Sequence, residues 1–322
     1  MNCSAPAARG NARLARASGG WNKGPGTDRQ GKAARLASTE DAADIRAWIG
    51  RSESATDLIA PAPAAALNAT LDRDDPPPRP GDPLPPLYHW LYCRFLGLAK
   101  TEELGEDGHP RRGGFLPPVR LPRRMWAASE VRFEGALRIG EEAERVSVIE
   151  DVAEKTGHSG PLVFVTIRHE ISGPSGRAVT DRQTVVYREA PAKGEAAAPG
   201  SPAPKDAEFW RRVTPNEALL FRYSALIFNA HRIHYDRPFA TGVEGYPGLV
   251  VHGPLVATLL ADLVRRERGD AALARFAFRA VRPLFAGSPF TVNGRSEKGG
   301  TIRLWTADSG NALATEAEAE LA

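Results

Sequence analysis

Apolar positions recur along this chain with two periods. Between 253 and 269 (GPLVATLLADLVRRERG), Leu255, Leu259 and Leu263 return every fourth residue, with Val256, Leu260 and Val264 beside them. That spacing predicts a helix with one wide apolar face. Arg265, Arg266 and Arg268 fall in its last turn and Gly269 follows, charges that suit the negative end of a helix and a residue that stops it. Between 163 and 171 the alternate residues Val163, Val165, Ile167, His169 and Ile171 share one face, the pattern of a half-buried strand. Short strand candidates follow the long helix at 276–281, 288–297, 301–308 and 312–322, while 217–228 (EALLFRYSALIF) reads as an apolar, strand-like stretch. The first half gives a helix candidate at 84–98 (LPPLYHWLYCRFLGL) and strand candidates at 129–133, 143–154, 161–171 and 178–188. A buried helix followed by an antiparallel meander, met twice, predicts an α+β architecture with a sheet wrapped around a helix in each half, although no clean internal repeat is visible.

Two segments break this pattern. Residues 191–208 (PAKGEAAAPGSPAPKDAE) contain no Ile, Leu, Val, Phe, Trp or Tyr and read as a linker. Residues 1–40 hold hardly any branched apolar side chain; they predict a disordered tail, unable to bury enough surface to offset the entropy of ordering. The Arg-rich, acid-poor tail also has the look of a mitochondrial transit segment. Two bodies remain, 41–190 and 209–322. The full 322 residues match roughly two domains of about 150 residues each.

Charge changes the picture only in its location. Of 42 Lys/Arg and 39 Asp/Glu, seven bases and two acids lie in residues 1–40, which leaves 35 bases against 37 acids in the rest. The basic excess therefore belongs to the tail, and the body is not expected to bind nucleic acid. No apolar run approaches the ~20 residues of a membrane span. The two cysteines, Cys3 and Cys93, make neither a disulfide framework nor a thiolate zinc pattern, which suits a reducing compartment such as the cytoplasm or a mitochondrial matrix.

The densest polar cluster is 229–240 (NAHRIHYDRPFA), followed at 248–253 by GLVVHG. It gathers His231, His234 and His252 just before the long helix. Such residues also serve simply to cap a helix entrance. The HxxH spacing lacks the Glu and the further ligand of the recognised zinc motifs, so no metal is expected.

FNAHRIHYDRPFA followed by GLVVHGPLVATLL resembles the hydratase motif of the MaoC-like enoyl-thioester hydratases, written GDxNPxHxDxxFA…PIVHGM. The resemblance puts His234 on the motif histidine, Asp236 on the following acid, Phe239 on the aromatic and His252–Gly253 on the HG pair. Residues 105–126 (GEDGHPRRGGFLPPVRLPRRMW) are similar to the N-terminal part of the hydroxyacyl-thioester dehydratase type 2 and mesaconyl-CoA or itaconyl-CoA hydratase group. The resemblance implies a double hot-dog fold with a degenerate first domain (41–190) and a catalytic second one (209–322). One chain would then supply a whole hot-dog pair, as a monomer or within a homodimer. It departs from the motif at Asn229, where an aspartate is expected, and at His231, where an asparagine is expected. An amide exchanges no proton near neutral pH, so His234 is expected to work with water held by Asn229, with His231 or Asp236 as the other sources of a second proton function.

The implied chemistry explains the cluster. Addition of water to a 2-enoyl thioester needs groups that take and give a proton and donors for the enolate oxygen. The Gly253 N–H, at the start of a helix preceding Pro254, is the candidate oxyanion donor. His252, Asp236 and the loop arginines Arg112, Arg123 and Arg124 are the candidate substrate contacts, the arginines through forked bonds to CoA phosphates or an acyl carboxylate. The substrate carries coenzyme A and no further cofactor is implied. A hydro-lyase of the mesaconyl-CoA or itaconyl-CoA type is the leading expectation, with a fatty-acyl (3R)-hydroxyacyl-thioester dehydratase second. A hot-dog thioesterase or a silent acyl-CoA-binding protein is the reading from another class.

Overall fold

The computed structural model describes residues 44–93, 95–157, 160–190, 200–269 and 271–322. The tail 1–40 and the first part of the linker lie outside them. The elements run β1 (Ser52–Leu58), α1 (Pro61–Thr70), β2 (Arg123–Phe133), β3 (Glu142–Gly157), β4 (Gly160–Gly173), β5 (Gly176–Arg188), β6 (Phe209–Val213), α2 (Glu217–Leu226), α3 (Gly253–Glu267), β7 (Leu273–Ala280), β8 (Phe290–Ser296), β9 (Thr301–Asp308) and β10 (Leu313–Leu321). All described strand pairs are antiparallel. They form one ten-stranded sheet in the order β1-β3-β4-β5-β2-β7-β10-β9-β8-β6. Each half contributes five strands, and the halves meet edge to edge where β2 pairs with β7. Joining them this way removes two exposed strand edges.

The long helix α3 lies where periodicity put it. Every residue from Pro254 to Arg265 is buried, so it is enclosed on all sides rather than on one face. Its buried carboxylate, Asp262, meets Arg73, Arg211 and Arg266 at 2.7, 3.1 and 2.7 Å, the pairing a buried charge needs. Leu255, Leu259 and Phe276 share a single apolar core with Ile59, Leu87 and Trp90 of the first half.

Two expectations are corrected. The described residues of 84–98 form no α-helix: a single 3-10 turn, Tyr88–Leu91, lies between Leu87 at φ 67° and Cys93 at φ 53°. These left-handed residues interrupt helical geometry, and Pro85 and Pro86 lie just before them. The helix of the first half is instead α1, whose Ala- and Pro-rich sequence carries a weak apolar signal. Residues 217–226 form α2 rather than a strand, started by Asn216, whose side chain accepts the Leu219 N–H at 2.8 Å. That cap outweighs the uniform apolarity that suggested β structure. The end of the linker is also fixed: Pro202 bridges to Ala312 and Ala203 is buried against Trp305. Among the described residues, no helix is long and apolar enough to cross a membrane.

Candidate active site

The polar cluster folds as two short turns. Asn229 Oδ1 accepts the His231 N–H at 2.9 Å, a side-chain-built turn that leaves the Asn229 amide nitrogen as its remaining donor. His231 then starts the 3-10 turn Arg232–His234. Asp236 is occupied elsewhere: Oδ2 accepts Arg232 Nε and Nη2 at 2.9 and 2.7 Å, and Oδ1 accepts the Phe239 N–H at 3.0 Å. It caps the following turn and does not line the cavity, which corrects its expected substrate contact.

A cavity of about 700 Å³ opens beside this loop. His234, His231, Asn229 and Gly253 line it from the second half. His234 Nδ1 lies 2.8 Å from the Val250 carbonyl. A carbonyl only accepts, so Nδ1 carries the proton and Nε2 is left as a bare lone pair. Burial lowers the His234 pKa to about 3 against that hydrogen bond, so the ring is neutral at working pH. His252 is fully buried beneath it, stacked at 3.6 Å between centroids, with Nε2 2.8 Å from Ser224 Oγ. It supports the ring of His234 rather than touching the cavity, a second correction.

Gly253 opens α3. Pro254 follows it, and no acceptor among the described residues takes its N–H. This orphan donor stands at the positive end of a helix, at a residue that lines the cavity. A Cβ on Gly253 would stand 3.2 Å from the Trp126 carbonyl, where β2 bulges between Trp126 and Ala128. The bulge thus narrows the approach to the helix start.

The expected arginines do reach the cavity, but each is engaged. Arg112 donates to the carbonyls of Val119, Leu121 and Pro122, which makes it a clamp on its own loop. Arg123 Nε lies 2.8 Å from Glu244, and Arg124 Nη2 lies 3.4 Å from Asp107 and 3.2 Å from the Pro110 carbonyl. Arg188 also lines the cavity, and its side chain makes no hydrogen bond or ion pair among the described residues. Its position opposite Arg123 on the β2–β5 ladder was not singled out by sequence.

Two further residues were missed. Asp107 and His109, from the first half, line the same cavity. His109 Nδ1 sits 3.2 Å from Asp107 Oδ2, and the His109 ring lies 4.1 Å from that of His231. Burial lowers the His109 pKa to about 4. Burial also raises that of Asp107, but the hydrogen bond and charge of His109 and the charge of Arg124 outweigh it and hold the group well below the usual carboxylate range. Donor atoms of Asp107, His109 and His231 lie within 4.8 Å of one another, near enough to share a cation. The Arg124 guanidinium beside Asp107 opposes that use. The only sequence signal was the DGH of GEDGHP, whose histidine is one of seven.

A neutral histidine, His234, and the orphan N–H of a helix start, Gly253, thus belong to residues that line one cavity. The chain belongs to the hydroxyacyl-thioester dehydratase type 2 family, whose model matches residues 87–286. It is 47% identical to the mesaconyl-C(4)-CoA hydratase of Chloroflexus aurantiacus over 279 residues, 87% of this chain and 98% of that protein. In fold it is similar to a MaoC-like dehydratase from Phytophthora capsici, with a TM-score of 0.62 at 14% identity, covering 86% of this chain and 97% of that one. A Mycobacterium tuberculosis protein described as having a double hot-dog fold matches at 12% identity and a TM-score of 0.54, over 84% of this chain and 96% of that one. The double hot-dog expectation is thereby borne out.

Proposed function

We propose that this hydro-lyase adds water to a short dicarboxylic 2-enoyl-CoA of the mesaconyl-C4-CoA kind, or removes it in reverse. One observation carries the reading. His234 Nε2, unprotonated because Nδ1–H is spent on Val250, shares a cavity wall with the free N–H of Gly253. The thioester carbonyl oxygen accepts the Gly253 N–H, and the helix start favours the negative charge that develops there. The attacking water donates to His234 Nε2 and is steered by the Asn229 amide. The 47% identity to a mesaconyl-C(4)-CoA hydratase supports the acyl group, and Arg188 is the guanidinium free to meet its carboxylate. We read the two halves as one complete hot-dog pair within a single chain.

Purified protein is incubated with mesaconyl-C4-CoA, crotonyl-CoA and a long-chain 2-enoyl-CoA, and products are followed by mass spectrometry. Hydration of the dicarboxylate in preference to crotonyl-CoA, with the preference lost in Arg188→Gln, is the expected result. Preference for the long chain would favour the fatty-acyl dehydratase reading, and release of free CoA would mark a thioesterase.

A further inference from the structure

Hydration moves one proton from water to C2, and the motif residues of the second half are ill suited to carry it. His234 is backed by a neutral carbonyl, which stabilises an imidazolium poorly. Asn229 stands where the motif carboxylate belongs and exchanges no proton. The first half of the chain supplies what is missing.

The segment from Gly105 to Arg111 is clamped onto the catalytic loop. Arg232 donates its main-chain N–H to the Asp107 carbonyl at 2.9 Å and its Nη1 to the Glu106 carbonyl at 3.0 Å. Gly108, at φ 85°, approaches so closely that a Cβ would lie 1.9 Å from the Ala230 carbonyl oxygen. Within this clamp, Asp107 holds His109 twice: Oδ1 accepts the His109 N–H at 3.0 Å, and Oδ2 lies 3.2 Å from Nδ1. With Asp107 ionised, Nδ1 carries the proton and donates, so Nε2 of His109 is unprotonated. The ring lies against His231, which stands 5.3 Å from His234. His109, His231, His234 and Asn229 all line the one cavity.

We propose that Asp107 and His109 form the proton-transfer unit of this site, His109 as the base and Asp107 as the residue that positions it. The inference rests on the hydro-lyase reading above. The water donates one hydrogen to His234 Nε2 and the other to His109 Nε2. As the oxygen–C3 bond forms, the proton passes to His109 and the C2–C3 π pair moves into the thioester carbonyl, giving an enolate on the Gly253 N–H. The enolate carbonyl then re-forms while C2 takes a proton from the His109 imidazolium, so both histidines end neutral. Asp107 favours that imidazolium as a buried carboxylate does.

Wild type, His109→Ala, Asp107→Asn and His234→Ala are compared for kcat and KM across pH, with folding checked by circular dichroism and bound metal by elemental analysis. His109→Ala is expected to lose at least ~10²-fold in kcat with KM changed less than about threefold, and added imidazole restores part of it. Asp107→Asn keeps an acceptor for Nδ1–H but removes the charge; kcat falls about tenfold and the acid limb of its pH profile moves to lower pH. A merely structural role gives neither the rescue nor the shift. If His109→Ala folds and turns over near the wild-type rate while His234→Ala does not, the dyad is wrong and the hydro-lyase reading stands. If His109→Ala does not fold, Asp107→Asn decides alone: an unshifted pH profile overturns the proposal. A stoichiometric divalent ion whose removal abolishes turnover would also overturn it, in favour of a metal site on Asp107, His109 and His231. A wild-type protein that hydrates no enoyl-CoA overturns both readings.

Discussion

The two halves bury polar groups to different ends. In the first half, Arg145, Ser147, His169 and Gln183 bond one another across β3, β4 and β5, and His169 lines the same cavity as His234: Ser147 Oγ is 2.7 Å from His169 Nδ1, and Gln183 Oε1 is 3.3 Å from Nε2. Both nitrogens of that imidazole have partners within the protein. In the second half, His234 has one nitrogen bonded and the other bare, and the Gly253 N–H is unpaired. Both histidines are buried with pKa values lowered by burial, His169 to about 4 and His234 to about 3. Burial alone therefore does not separate a structural imidazole from a reactive one. The unspent lone pair facing a cavity does.

This contrast is open to direct attack. His234→Ala should lower kcat by at least ~10²-fold with little change in melting temperature, through loss of the group that aligns the water. Ile149→Ala should do the reverse. Ile149 is fully buried among β-strands of the first half and does not itself line the cavity, so its truncation costs about 2–5 kcal/mol of stability and is expected to leave kcat near wild type. Thermal unfolding and steady-state kinetics on the same preparations check the pair. A drop in kcat from Ile149→Ala would mean that the first half is coupled to the chemistry well beyond its 105–111 loop.

Gly253→Ala tests the helix start. The added Cβ stands 3.2 Å from the Trp126 carbonyl, so the first turn must shift, and kcat/KM should fall about tenfold or more as the oxyanion donor moves. Acid stability probes both halves together. His109, His169 and His234 have folded pKa values of about 4, 4 and 3, below the ordinary 6.5. An unfolded chain protonates these residues below pH 6.5 while the folded one does not. Their contribution is thus fully present above 6.5 and lost as pH falls toward 4. A melting temperature that declines steadily from pH 6.5 to 4 is expected; a flat profile would show that the rings are solvated. The smallest effect expected is that of deleting residues 1–40, which should change neither turnover nor melting temperature.

How far the sequence reached depended on whether a signal was local. Helix α3 and strand β4 were legible because a single period holds through each, and β9 was read at its observed bounds, 301–308. Strand β1 (SESATDL) was invisible: it is an edge strand with one large apolar residue. The 84–98 segment misled because apolar content outvoted two left-handed residues that composition does not mark. At the site, His234 and Gly253 were legible from one motif, and Asn229 was recognised as a departure from it. Asp107 and His109 were not, because their meaning comes from meeting His231 across more than a hundred residues of chain. Asp236 and His252 were over-read for the converse reason, since a motif position does not say which way a side chain's bonds are spent.

The contact between Gly108 and Ala230 limits how this protein can change over generations. The obstacle to any larger residue at 108 is a main-chain oxygen, which is present whatever amino acid occupies 230. No compensating substitution at 230 removes it, so variation at 108 has no partner to accommodate it. The glycine is held in place by a segment of the opposite half, and the two halves, whatever their separate origins, are no longer free to diverge independently.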